Sequence, residues 1–265
     1  MRFSCKIFLE NPQNVIIPPD YRRYLLSMLK EAFKKSGSDG SDFFENIYSK
    51  NIQKPFTFSA YFPLEEESQK LRGEFFSFFF STNDYEFLMR VYNGLNSIKV
   101  FNLFGQNIKE VKHFFLSPER RFDKDEVVFK TLSPFLVRNP EDGDYYLVPQ
   151  NLIDQKKFEY ANKKDGEDIV VSENDVIDSL KKSILSLVKR YLGFDYDENN
   201  LMITLEKISL SPAKHGSKES KFTMTLPAMK GFIRIKASPE VLKLIYDIGI
   251  GARRSEGFGM LEVVE

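Results

Sequence analysis

From position 2 to 9, Phe3, Cys5, Ile7 and Leu9 alternate with Arg2, Ser4, Lys6 and Phe8, the two-residue period of a strand with one buried face. Pro18-Pro19-Asp20 introduces residues 21–35, where Leu25, Met28, Leu29 and Ala32 share one side at helical spacing and Gly37 supplies a stop. Residues 54–61 and the run from Phe75 to Phe80, separated by the polar stretch 65–72, predict a strand pair. The unbroken apolar run predicts a central strand buried on both faces. Residues 83–92 restore a helical stripe through Tyr85, Leu88, Met89 and Tyr92, with Gly94 beyond its end, and 98–103 or 108–115 can supply another strand. The order βαββαβ is that of a ferredoxin-like unit: an antiparallel sheet with both helices on one face, shared by RNA-recognition-motif domains.

The polar segment Pro118-Glu119-Arg120-Arg121-Phe122-Asp123 predicts a boundary, giving domains 1–119 and 120–265, and the pattern then starts again. Residues 127–131 are strand-like. A helix over 174–191 buries Ile177, Leu180, Ile184, Leu187 and Tyr191. Residues 201–210 and 222–235 are strand material, with a turn expected near Lys230-Gly231. Ser238-Pro239-Glu240 is a helix start, followed by Val241, Leu244, Ile245 and Ile248, and residues 260–264 form the last strand. The expected fold class is therefore α+β, two tandem ferredoxin-like, RNA-recognition-motif-like domains with antiparallel sheets.

Composition narrows the chemistry. Lys plus Arg equals Asp plus Glu at 38 each, so a polyanion must be held by local basic patches and not by the global field. The single cysteine, Cys5, excludes an intrachain disulfide, and no C-x-x-C or paired His spacing suggests a zinc site. Lys6 interrupts the N-terminal apolar stretch, and no run is long enough to span a membrane, so a cytoplasmic protein is expected.

The segment Gly249-Ile250-Gly251-Ala252-Arg253-Arg254-Ser255-Glu256-Gly257-Phe258-Gly259 places four glycines and two adjacent arginines between a helix and the final strand. Glycines admit positive φ and close backbone approach, and arginines fork onto phosphate oxygens, so the loop is expected to hold a phosphate backbone. Arg23, Lys30 and Lys34 fall on one face of the first helix. Arg120, Arg121 and Lys124 at the domain junction, and Lys214, Lys218 and Lys221 around Gly216, are further basic clusters.

The chain resembles the CRISPR repeat-processing endoribonucleases of the Cas6 family, part of the RAMP superfamily. The glycine loop is similar to the family's C-terminal G-h-G-x-x-x-x-x-G-h-G signature, Lys54-Pro55-Phe56-Thr57-Phe58-Ser59 to its strand motif after the first helix, and Lys130-Thr131-Leu132-Ser133-Pro134 to the segment opening its second domain. The resemblance implies binding of CRISPR repeat RNA or precursor CRISPR RNA in a cleft between the domains. It also implies metal-independent, cofactor-free attack of a ribose 2′-hydroxyl on the adjacent phosphorus, leaving a 2′,3′-cyclic phosphate. A CRISPR effector complex and a second copy of the chain are further candidate partners; a membrane is not.

Many members place a histidine between the first helix and the Lys-Pro-Phe-Thr strand. Asn46 or Tyr48 stands there in this chain, and the 2 histidines, His113 and His215, lie elsewhere. Lys30 falls where some relatives place a catalytic tyrosine, and Lys54 matches a family lysine near the scissile phosphate. The expected catalytic residues are therefore Lys30 and Lys54, binding the phosphorane, and Tyr48, orienting or exchanging the proton; the basic clusters and the loop place Arg23, Lys50, Arg120, Arg121, Lys214, Gly249, Gly251, Arg253, Arg254, Gly257 and Gly259 on the RNA. Three functions stay open on sequence: the endoribonuclease, a binding homologue or effector-complex subunit without catalysis, and a ferredoxin-like enzyme whose loop holds a nucleotide.

Overall fold

The computed structural model describes residues 1–49, 53–66, 68–153, 158–216 and 223–264. Two compact units divide the chain, one of Met1–Glu119 with Ser255–Gly257, the other of Arg120–Arg254 with Phe258–Glu265.

In the first unit the elements are β1 (Arg2–Leu9), α1 (Tyr21–Lys34), α2 (Gly40–Tyr48), β2 (Phe56–Tyr61), β3 (Phe75–Thr82), α3 (Tyr85–Ser97), β4 (Asn102–Leu103) and β5 (Gln106–Ser117). The sheet order is β2-β3-β1-β5-β4, with every pairing antiparallel. Setting aside the short hairpin strand β4, this is the ferredoxin-like order. Phe3, Cys5, Ile7 and Leu9 are buried as the alternation requires, and they share one core with Leu25, Met28, Leu29, Phe33, Phe56, Phe58 and Phe80.

Three features of this unit differ from expectation. β3 is internal to the sheet but is not buried on both faces: Phe76, Phe78 and Phe80 are buried, whereas Phe75 and Phe79 are half-exposed, because alternate side chains point to opposite faces. α3 runs on to Ser97, so Gly94 lies inside it. A Cβ at Gly94 would sit 1.9 Å from the Ala32 carbonyl oxygen, so the glycine marks where α1 and α3 touch backbone to backbone and is not a stop. Finally, α2 is an element that the sequence reading missed.

The second unit contains β6 (Glu126–Thr131), the single-turn α4 (Gln150–Ile153), the short hairpin β7 (Lys163–Lys164) and β8 (Glu167–Asp168), and α5 (Glu173–Leu192). It continues with β9 (Met202–Leu210), β10 (Ala213–Gly216), β11 (Thr223–Leu226), β12 (Met229–Lys236), α6 (Pro239–Ile248) and β13 (Leu261–Val263). Its main sheet has the order β13-β6-β12-β9, again antiparallel and ferredoxin-like, with the β10–β11 hairpin inserted between the second and third strands. Ser172 and Asp175 close a capping box at the start of α5, and left-handed Gly193 ends the helix. Its buried face is Val176, Leu180, Ile184, Leu187 and Val188, with Ile177 and Tyr191 at the margin, a stripe turned slightly from the expected one. Lys230-Gly231 is not a turn: both residues lie inside β12, where Gly231 (φ 155°) sits at a register shift against β9. Pro227 and Ala228 separate β11 from β12 instead.

Candidate functional site

In the first unit, α2 brings the expected catalytic residues together. It is tied to α3 by a bidentate pair in which Arg90 donates from Nη1 to Asp39 Oδ1 at 3.0 Å and from Nη2 to Oδ2 at 2.6 Å. The same guanidinium lies 4.0 Å from the Phe43 ring centroid, and Phe43 packs on Phe33 and Phe87. Gly40 allows α2 to start against the end of α1, since a Cβ there would approach the Lys34 carbonyl oxygen to 2.5 Å. So anchored, α2 presents the stacked rings of Phe44 and Tyr48, 4.7 Å apart, to the basic face of α1. Lys34 Nζ lies 4.8 Å from the Phe44 centroid and Lys30 Nζ 5.1 Å from that of Tyr48. Lys54, just before β2, places its Nζ 4.8 Å from the same Tyr48 ring. One phenol therefore carries two ammonium groups by cation–π attraction.

The electrostatics of this cluster are unusual. The Tyr48 hydroxyl is buried and has no hydrogen-bond partner among the described residues. Burial, reinforced by the negative charge of Glu256, pushes its pKa above the ordinary tyrosine range, so the phenol stays protonated at neutral pH. Burial lowers the Lys54 pKa; Glu256 opposes that shift and the Lys30 charge adds to it.

Glu256 and Arg22 are the site residues that sequence reasoning missed. Arg22 is a buried arginine on α1, its pKa lowered by burial, and its Nε donates to the Gly257 carbonyl at 3.1 Å. Gly257 (φ 87°) also lies against Phe58: a Cβ would come within 2.7 Å of that ring. A signal for α2 existed in Phe43, Phe44, Ile47 and Tyr48, an apolar face at helical spacing. Nothing in the sequence singles out Glu256.

The other expected residues are distributed as follows. Arg23 pairs with Asp20 at 2.5 Å and lies over the Tyr24 ring. Lys50, Lys218 and Lys221 lie outside the described residues. Arg120 and Arg121 precede β6 in a stretch without regular structure, half-buried and exposed respectively, with Lys124 exposed beyond them. Lys214 is exposed on β10. In the loop, Arg253 (φ 54°) donates from Nε to the Tyr146 hydroxyl at 2.6 Å and meets His215 Nε2 at 3.2 Å. Arg254 is buried, donates to the Ile248 carbonyl at 2.9 Å, and has its pKa pulled down to about 10 by burial. Gly249 ends α6 with φ 78°. A Cβ on Gly251 would lie 2.3 Å from the Leu136 carbonyl oxygen, and one on Gly259 2.0 Å from that of Ile250. The amides of Ile250, Ala252 and Gly259 donate to Gly259, Leu136 and Pro134. These glycines thus have reasons within the protein's own fold. Among the described residues no group of three or more His, Cys, Asp or Glu comes together, and no helix is long and apolar enough to cross a membrane.

The family model for the CRISPR-associated protein Cas6, C-terminal, matches residues 116–263, more than half the chain. No curated protein sequence matches. Among solved structures, a RAMP protein binding different RNA substrates superposes with a TM-score of 0.73 at 18% identity, over 100% of both chains. A Cas6-related protein from Pyrococcus furiosus gives 0.71 at 21%, over 100% of this chain and 98% of that one. A CRISPR-associated Cas6 protein gives 0.68 at 19%, over 100% and 99%. At such identities these likenesses speak for the fold, which they share with this chain from end to end. That family model takes in the second ferredoxin-like unit with the glycine loop before its last strand, more than half of the chain, and the chain belongs to the CRISPR-associated Cas6 family.

Proposed function

We propose that the protein binds CRISPR repeat RNA and cleaves precursor CRISPR RNA within the repeat, and that Lys30, Tyr48 and Lys54 form the cleavage site. The observation that carries this is the pair of ammonium groups held 4.8 and 5.1 Å from one tyrosine ring. The 2′-hydroxyl loses its proton to solvent as its oxygen attacks the adjacent phosphorus, the P–O5′ bond breaks and the leaving 5′-oxygen takes up a proton; negative charge builds on the phosphorane oxygens between, and two fixed cations stabilise that charge more than the ground state. Tyr48 is a positioning residue in this scheme: its ring sets the two ammonium groups, and its raised pKa makes the phenol a poor base. Family membership supports the substrate, as does the occurrence of a Cas6 product complex among the similar structures (TM-score 0.61).

Labelled repeat RNA incubated with the protein in EDTA tests the proposal. Cleavage within the repeat is expected. Tight binding without cleavage would replace the nuclease by an RNA-holding homologue, a reading favoured by one observation: His113 packs on Phe8, His215 belongs to the other unit's hairpin, and the lysine–tyrosine cluster has no imidazole among its described members. Neither binding nor cleavage would remove both.

Replacing Tyr48 separates ring from hydroxyl. Tyr48→Phe keeps both cation–π contacts, and its single-turnover rate is expected to stay within about threefold of wild type. Tyr48→Ala frees both lysines at about 1 kcal/mol each, for a loss of about thirtyfold. A Tyr48→Phe defect as large as that of Tyr48→Ala would transfer the role to the hydroxyl.

A further inference from the structure

We propose that Glu256 is a positioning residue of this site, a carboxylate delivered by the glycine loop as the counter-charge of the Lys54 ammonium. The inference rests on the reading of Lys30, Tyr48 and Lys54 as one site, and it adds a residue from more than 200 positions further along the chain. Three contacts fix the delivery. Glu256 lies in a single 3-10 turn, Arg254–Glu256, that stiffens the loop. The next residue, Gly257, is held at its carbonyl by the buried Arg22 at 3.1 Å. Its α-carbon lies so close to Phe58 that a Cβ would come within 2.7 Å of the buried ring, and Phe58 lies on the strand that begins two residues after Lys54.

The titratable groups that act on Lys54 come from three other parts of the unit: Lys30 on α1, the neutral phenol of Tyr48 at the end of α2, and Glu256 in the loop. Burial and Lys30 both work against the charged form of Lys54, and the carboxylate of Glu256 favours it, alongside the cation–π contact with Tyr48. Two ammonium groups brought to one ring repel each other, and a single carboxylate reduces that repulsion without neutralising both. The glycine loop thereby acquires a role in keeping the catalytic lysine charged, distinct from holding the RNA.

The test is a pH titration of the Lys54 side chain in the free protein, followed through its ε-carbon resonance and assigned by its loss in Lys54→Arg. In Glu256→Gln the midpoint is expected to move to lower pH, because the group favouring the ammonium form has been removed. In Glu256→Asp it is expected to return toward the wild-type value. The alkaline limb of the single-turnover pH–rate profile on repeat RNA is expected to move in the same direction. A Lys54 midpoint unchanged in folded Glu256→Gln overturns the inference while leaving the nuclease reading in place. A shifted midpoint in a protein that cuts no repeat RNA upholds the inference and overturns the nuclease reading.

Discussion

Lys54→Ala is expected to lower the single-turnover rate of repeat cleavage by about 10²–10³-fold, the cost of removing one preorganised donor from a developing oxyanion. RNA affinity is expected to change much less, because one lysine is a small part of a binding surface spread along a phosphate backbone. The structural reason is placement: the Lys54 Nζ is fixed 4.8 Å from the Tyr48 ring and is partly removed from water, where a charge acts with less screening. The same burial predicts a pH dependence. The lysine pKa is depressed, and the ammonium is the active form, so activity is present below that pKa and lost as pH rises through it. Lys54→Arg keeps its charge at every accessible pH, so whatever rate it retains should lack this alkaline limb. Single-turnover kinetics of the three proteins between pH 6 and pH 10 check the expectation; an unchanged rate in Lys54→Ala removes Lys54 from the site.

Gly259→Ala is the second large effect, and it falls on stability. With φ at 70° and a Cβ directed 2.0 Å from the Ile250 carbonyl oxygen, the substitution combines left-handed strain with a backbone clash that no rotamer change relieves. A loss of about 3 kcal/mol or more is expected, at the upper end of what overpacking costs. Gly105→Ala is the control: its φ is 83°, but no atom lies within 4 Å of the added Cβ, so only the conformational cost of about 1 kcal/mol applies. Chemical denaturation of both variants decides the matter. Equal destabilisation would mean that the loop gives way around Gly259, and that this glycine is available for a role on RNA.

The two predictions bear on how much could be read from the chain itself. β1 was legible because a strand with one buried face writes its period into the sequence, and the Ser238-Pro239 start of α6 because a cap and a first-turn proline are local signals. Gly94 was misread as a helix stop because its reason lies in Ala32, 62 positions away in the chain and therefore invisible to any local rule. The Lys30 and Lys34 stripe was legible as a basic face of α1, but its partner rings were not, since α2 was not recognised between Gly37 and the Lys-Pro-Phe-Thr segment. The glycine loop was legible as a motif, but the cause assigned to it was incomplete. Gly251 is set against the Leu136 carbonyl and Gly257 against the Phe58 ring, both far off in the chain, and Gly259 against the Ile250 carbonyl across the loop, contacts that exist only once the chain has folded. Glu256 escapes a local reading for the same reason: a carboxylate between two arginines and a glycine looks like solvated loop charge until folding makes its charge felt at Tyr48 and Lys54.

The most direct test of the central claim concerns the end left on the cut RNA. Mass analysis of the upstream fragment, from cleavage of a cognate repeat in EDTA, is expected to find a 2′,3′-cyclic phosphate, and a single 2′-deoxy substitution at the cut nucleotide is expected to abolish the product. Continued cleavage of the 2′-deoxy repeat at the same phosphate, or a 3′-hydroxyl end on the upstream fragment, would contradict a site in which two lysines stabilise attack by the neighbouring hydroxyl.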